Sequence, residues 1–259
     1  MRISPVSVNF SYSNNNTNKY MQRPILPAMS CDSVSFTGNT KATQKTVVIL
    51  LGAPNSGKGT FARRISEKLT IPQISTGDIL RSEVKKASDL GVQAQKFMNS
   101  GGLVPDELIM KIFQKRINES DCQKGFILDG FPRTINQAKQ LDEILSNERN
   151  LSVKIINLDV DKNILYERSA NRYVCADCSK TFSIKDGYNK ETSKCDCGGS
   201  LIKRSDDKPE ILAQRLEAYD KQTLPLVNYY GDKVAGIDVK GKDAPMEQTL
   251  ARIMKYFEV

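Results

Sequence analysis

Gly52-Ala53-Pro54-Asn55-Ser56-Gly57-Lys58-Gly59-Thr60 is the stretch on which the reading of this chain turns. It follows a continuous apolar run, Val47 to Leu51, of the kind a strand buried on both faces requires. Behind it, Phe61, Ile65 and Leu69 recur at helical spacing. Strand, glycine-rich turn and helix in that order form the setting of a phosphate-binding loop. Its glycines let successive backbone N–H groups turn inward, and the helix N-terminus adds positive potential where phosphates would rest. Lys58 is placed to reach the outer phosphates, and Gly59 delays the usual hydroxyl by one residue, to Thr60. The loop by itself implies nucleoside triphosphate binding and no particular reaction.

Working outward, further strand candidates are Ile71 to Ser75, Phe126 to Leu128, Val153 to Val160 and Val234 to Val239. Helical patterns lie between them: Leu108, Ile112 and Phe113; Ala138, Leu141 and Leu145; Leu212, Leu216 and Tyr219. A last helix, entered through Pro245, carries Leu250, Ile253, Met254 and Phe257. This alternation predicts an α/β fold: a parallel sheet of the P-loop NTPase type, flanked by helices on both faces. Two stretches interrupt it. Thr76 to about Val104 reads as a small helical subdomain, and about Tyr173 to Lys203 reads as an insertion holding four cysteines.

A phosphoryl-transfer enzyme also needs a place for its acceptor. Ser75-Thr76-Gly77-Asp78, followed by Arg81, and Asp129-Gly130-Phe131-Pro132-Arg133-Thr134 both sit at the C-terminal ends of strand candidates, where open α/β sheets bind ligands. Asp129 is placed as a partner of Mg²⁺-bound water, and Arg133 as a bidentate clamp for a phosphate. Asp78 alone would be a helix N-cap and Arg81 alone a solvated helix arginine.

With these blocks in order, the chain from Thr46 to Val259 resembles adenylate kinase, a nucleoside monophosphate kinase of the zinc-bearing, long-lid bacterial type. The further matching motifs are Gly102-Leu103-Val104, Gln137, Arg168 with Arg172, Arg204-Ser205-Asp206-Asp207, and Arg215. The resemblance implies that Gly52 and Asn55 to Thr60 cradle the ATP phosphates, with Asn55 standing where glycine is usual and tolerating its left-handed geometry. It implies that Thr76 and Gln137 face the AMP base, beside Gly102, Leu103 and Val104, with Gly130, Phe131 and Pro132 in the same pocket. Arg81 and Arg133 would hold the AMP phosphate. Arg168, Arg172, Arg204 and Arg215 would converge on the transferring group, the first two arriving from the lid. Thr181 and Phe182, with Asp243 in the turn Gly241-Lys242-Asp243, would lie at the ATP base. The implied reaction is reversible in-line transfer from MgATP to AMP, giving two ADP, with the catalytic weight on Lys58, Arg133, Arg168, Arg204 and Arg215. Such chemistry is mainly positioning and charge stabilisation, which suits a chain without a single histidine. Converging arginines must be kept apart until substrates arrive, so two closing flaps are expected, an NMP-binding subdomain over 75–104 and a lid over 168–205.

Cys175-Ala176-Asp177-Cys178 and Cys195-Asp196-Cys197 have the spacing of a four-thiolate Zn²⁺ site. Iron and disulfide pairing are the competing readings, and Asp196 is an alternative ligand. The second half is Cys-x-Cys, one residue shorter than the Cys-x-x-Cys of the zinc-bearing lids it resembles, so a strained or weaker site is expected. A closed shell of four ligands makes the role structural, in a lid too small to hold a core of its own. Cys122 reads as an unremarkable thiol, and Cys31 is uninformative.

Composition bounds the rest. The chain has 259 residues, 39% hydrophobic and 26% charged, with net charge +8. No run approaches the roughly 18 apolar residues of a membrane span, and no apolar stretch follows Met1. A soluble, cytoplasmic, monomeric protein is expected, with ATP, AMP and ADP as partners and neither nucleic acid nor membrane. Residues 1–45 are Asn- and Ser-rich and aperiodic, and read as a disordered tail. Acid-poor as it is, the tail lacks the arginines and amphipathic helix of a transit peptide. It carries five cations and one acid, which is half of the net +8. That weakens one alternative, a zinc-ribbon nucleic-acid-binding ATPase, since the remaining arginines are spread through separate motifs rather than one basic stripe. A UMP, CMP or GMP kinase is the nearer alternative, separated only by the few contacts of Thr76 and Gln137.

Overall fold

The computed structural model describes residues 44–148, 150–184, 187, 193–239 and 246–257. Residues 1–43 of the expected tail, the turn holding Asp243, and Pro245 lie outside the described residues, while Lys45, counted with the tail, opens the first strand.

Five parallel strands form the central sheet: β1 (Lys45–Gly52), β2 (Gln73–Ser75), β3 (Gly125–Asp129), β4 (Leu151–Asp159) and β8 (Val234–Asp238). Their spatial order is β2-β3-β1-β4-β8. The expected parallel α/β sheet is present, and β1 shows why its sequence reads as an unbroken apolar run. Val47, Ile49 and Leu51 join the core on one face, while Val48 and Leu50 join the core on the other. On the first face the Phe113 and Phe131 rings stack with centroids 4.6 Å apart. β2 is shorter than the apolar pattern predicts, beginning after Pro72 rather than at Ile71, because proline cannot donate to the ladder.

The helices of the main body are α1 (Lys58–Leu69), α4 (Asp106–Ile117), α5 (Ile135–Ser146), α6 (Lys162–Asn171), α7 (Pro209–Ala218), α8 (Pro225–Tyr230) and α9 (Met246–Lys255). Tyr219 falls just past α7, in a wider π-type turn over Tyr219–Thr223. Phe257 lies beyond the end of α9 and packs as a partly buried side chain against the core. The expected helical subdomain consists of α2 (Thr76–Lys85) and α3 (Asp89–Asn99). Asp78 is not its N-cap: Ser75 Oγ accepts from the Asp78 N–H at 3.2 Å, leaving the carboxylate for other work.

The cysteine insertion is a separate three-stranded antiparallel sheet, ordered β6 (Thr181–Ser183), β5 (Arg172–Cys175), β7 (Leu201–Ile202). Its buried cluster is Cys175, Phe182, Cys195 and Leu201, with Tyr173 against them. Among the described residues no helix is long and apolar enough to cross a membrane.

Candidate active site

The register of the sheet fixes the site. β1 pairs with β3 so that Leu50 stands opposite Asp129, and β3 pairs with β2 so that Asp129 stands opposite Ser75. The three loops leaving these strands therefore open at one edge, around a single cavity of about 870 Å³. That cavity is lined by the phosphate loop, Thr76, Arg81, Asp129, Arg133, Gln137, the segment Gly102–Val104, and Arg168, Arg172, Thr181, Phe182, Arg204 and Arg215.

Asn55 has the left-handed backbone that its substitution for glycine demands, with φ of 65°. Lys58 curls over the loop: its Nζ donates to the carbonyls of Gly52 and Ala53, both at 2.7 Å, and to Ser56 Oγ at 3.3 Å. Although the residue as a whole is only partly buried, its ammonium is enclosed by protein, and burial pushes its pKa down to about 7 against the opposing pull of Asp129. Arg133, Arg215 and Arg172 push it the same way. Burial raises Asp129, and Lys58 opposes that shift. Asp129 Oδ2 also accepts from Gln73 Nε2 at 3.1 Å, a contact with no sequence signature.

Because Lys58 sits lowered to about 7, a triphosphate arriving beside it restores the charge and takes up a proton when the pH lies above that value. Triphosphate affinity should accordingly fall as pH rises above 7, approaching about tenfold per unit while Lys58 must be reprotonated. Calorimetry in two buffers of different ionisation enthalpy, at pH 8, should report net proton uptake that vanishes in Lys58→Met.

The arginines are assembled, not separated. Arg168 lies on α6 and donates from Nη1 to the Ser56 carbonyl at 3.0 Å, so it is tied to the phosphate loop. Arg172 opens β5 and donates from Nε to Asp207 Oδ2 at 2.8 Å, its Nη2 pairing with the other carboxylate oxygen. Arg215 Nη1 lies 3.0 Å from both the Asp206 carbonyl and its Oδ2. Arg81 is paired with Asp78, and Arg204 stands 3.8 Å from the same carboxylate. Arg81 Nη1 lies 3.9 Å from Asp206. Arg133 Nε donates to the Gly130 carbonyl at 2.7 Å. Burial lowers Arg133 and Arg204 to about 10, so both remain cations at neutral pH. Asp206 is held low because Arg215, Arg81 and Arg204 outweigh the effect of its burial.

Mutual repulsion is thus met by interleaved carboxylates from Asp78, Asp206 and Asp207, rather than by distance alone. These acids sit inside the sequence motifs, yet nothing in their spacing reveals whom they pair with. The subdomain and the lid also touch, since Lys85 Nζ at the end of α2 lies 3.4 Å from the Ala176 carbonyl.

On the acceptor side Thr76 is buried and donates to the Gly130 carbonyl at 3.0 Å. Gln137 is buried with both amide ends engaged. Phe182 is a core residue of the lid, 4% exposed, while Thr181 beside it is exposed. Asp243 lies outside the described residues.

In the lid the four thiolates of Cys175, Cys178, Cys195 and Cys197 lie within 4.8 Å of one another. Two sulfur pairs, Cys175–Cys197 and Cys178–Cys195, are 3.4 Å apart. A tetrahedral Zn²⁺ with bonds of about 2.3 Å needs sulfurs about 3.8 Å apart, so the four fit it. The short Cys-x-Cys half is accommodated by a tight turn in which the Gly198 N–H donates to the Cys195 carbonyl at 2.7 Å. Gly199 lies so near that a Cβ there would fall 2.5 Å from Cys175 Sγ. The N–H of Cys178 points at Cys175 Sγ from 3.5 Å, and with that of Asp177 it draws the Cys175 thiol down to about 7.

With this geometry in view, similarity to known proteins settles the family. The family model described as Adenylate kinase matches residues 50–235. An adenylate kinase of Clostridium tetani is 47% identical over 187 residues, covering 72% of this chain and 87% of that protein. Those of Alkaliphilus oremlandii and Lachnospira eligens are 43% and 44% identical over 209 residues, each covering 80% of this chain and respectively 96% and 98% of the relative. The phosphate loop, the arginine-lined cavity and these matches agree: the chain belongs to the adenylate kinase family and is a nucleoside monophosphate kinase, a phosphotransferase.

Proposed function

We propose that this cavity carries the terminal phosphoryl group of MgATP to AMP, reversibly, giving two ADP. The observation that carries the reading is the convergence of Lys58, Arg133, Arg204 and Arg215 on one cavity shared with the acceptor motifs. The loop from Gly52 to Thr60 holds the donor phosphates, with Arg168 bracing the loop and Thr181 and Phe182 beside the donor base. Arg81 and Arg133 hold the acceptor phosphate, while Thr76, Gln137 and the Gly102–Val104 segment shape the base pocket. Lys58, Arg172, Arg204 and Arg215 stabilise charge as it moves from one oxygen to the other, and no general base is called for.

Mg²⁺ bound with ATP would neutralise charge on the phosphate oxygens. The hydroxyl of Thr60 and the carboxylate of Asp129, the latter through water, are hard oxygen donors suited to it. Zn²⁺ held by the four cysteines would have a structural part only. Residues 75–104 act as the AMP-side flap and the segment that follows α6, as far as residue 205, as the lid, the remainder from 46 being the main body. We assign the protein to the cytoplasm as a monomer whose partners are nucleotides.

The test is transfer from ATP to AMP, UMP, CMP and GMP in separate reactions with Mg²⁺. Turnover should be fast with AMP and weak with the others. Preference for another acceptor would overturn the roles of Thr76 and Gln137 and leave the mechanism standing. Intact ATP binding without transfer to any acceptor would overturn the reading itself.

A further inference from the structure

Asp106 opens α4 directly after the Gly102–Val104 segment and accepts three side-chain hydrogen bonds. Its Oδ1 accepts from Gln137 Nε2 at 2.6 Å, and its Oδ2 from Thr134 Oγ1 at 3.1 Å and Asn136 Nδ2 at 3.0 Å. On its other end, Gln137 accepts the backbone N–H of Arg133 at Oε1, at 2.8 Å.

A carboxamide has two ends of nearly equal shape and opposite hydrogen-bonding character, so a half-turn about its last bond exchanges donor for acceptor. At Gln137 that half-turn is blocked from both sides. An ionised carboxylate only accepts and a backbone N–H only donates, so a turned amide would meet like against like at each end. Gln137 is only 2% exposed, so the two mismatches of a turned amide would be poorly compensated, while its place in the cavity lining leaves it within reach of a ligand. What remains for a ligand is the second Nε2 hydrogen and the second Oε1 lone pair, in fixed order. Adenine offers an amino donor beside a ring-nitrogen acceptor along its six-membered ring, whereas guanine offers a carbonyl acceptor beside a ring N–H donor. A freely turning amide can match either order, and a fixed one matches only one.

We propose that Asp106 is a specificity-determining positioning residue, which selects an adenine over a guanine acceptor by locking the orientation of the Gln137 amide. This rests on the reading that Gln137 meets the acceptor base. Asn at position 106 keeps the shape but can donate or accept, and so releases the lock. In Asp106→Asn the ratio of kcat/KM for AMP to that for GMP should fall by roughly tenfold or more, mainly through KM for AMP, with kcat little changed. Both acceptors are measured on one preparation, so the ratio is independent of how much protein is folded. Gln137→Ala separates the two layers. If it leaves KM for AMP unchanged, the role of Gln137 and this inference both fall. If it raises KM for AMP while Asp106→Asn keeps the wild-type ratio, Gln137 keeps its role and the lock is overturned.

Discussion

Lys58→Met is expected to lower kcat for phosphoryl transfer by about a thousandfold, from the loss of roughly 3–4 kcal/mol of stabilisation at the developing charge. Two carbonyls at 2.7 Å and the more distant Ser56 Oγ hold Nζ at the loop, so the ammonium is already in place and reaches a phosphate oxygen by exchanging one of these bonds. Methionine keeps most of the stem's packing and removes only the donor. The fold should not suffer. Lys58 is lowered to about 7 from an ordinary 10.5, so between those values the unfolded chain binds more protons than the folded one. Stability contributed through this group therefore rises with pH across that window, and below it the buried charge is a burden. The variant should match or exceed the parent's melting temperature at pH 7 and lack that rise. A variant that loses activity together with its melting transition would show that the lysine serves the fold instead, and one that keeps near-parental kcat would overturn its catalytic role.

With zinc held by the four lid cysteines as proposed, its removal should have the largest effect on stability. The lid's buried cluster is Cys175, Phe182, Cys195 and Leu201, with Tyr173 beside it. So small a core cannot offset the ordering entropy of some thirty residues. Structural zinc contributes on the order of 10 kcal/mol in comparably small units, which is more than such a lid could do without. The purified chain should hold close to one zinc, with the four lid thiols shielded from a thiol reagent. A strong chelator, or Cys178→Ser, should expose them, open the lid to protease and raise KM for ATP, since Thr181 and Phe182 lie on the same small sheet. Metal-free protein with an unchanged melting curve and protease pattern would overturn the assignment.

What was legible in the sequence follows from how local each signal is. The apolar run of β1 and the loop after it are contiguous, so the strand, the turn and Lys58 could all be read directly. α6 has no apolar signature of its own in the sequence, because Leu165 and Ser169 alone are buried along it and no apolar stripe results. Its one start signal is Asp161, whose side chain accepts the Asn163 N–H at 2.8 Å. Arg168 was therefore expected on the lid, whereas it stands on that helix and braces the phosphate loop. Gln73, Asp106 and the carboxylates of Asp78, Asp206 and Asp207 were illegible as partners, because each pairing depends on separate stretches of chain meeting in space. The shortened cysteine motif invited an expectation of strain, but spacing cannot show that Gly198 and Gly199 close the turn around it.

The interleaved carboxylates have a consequence for timing. An arginine already balanced by Asp78, Asp206 or Asp207 can hand itself to an incoming phosphate by rotating its side chain. Rotamer exchange of that sort takes picoseconds to nanoseconds, whereas movements of whole segments take microseconds to milliseconds. Charge assembly is then never the slow event of a cycle. What is left for the slower timescale is movement of whole segments, such as the subdomain and the lid, which touch where Lys85 Nζ meets the Ala176 carbonyl.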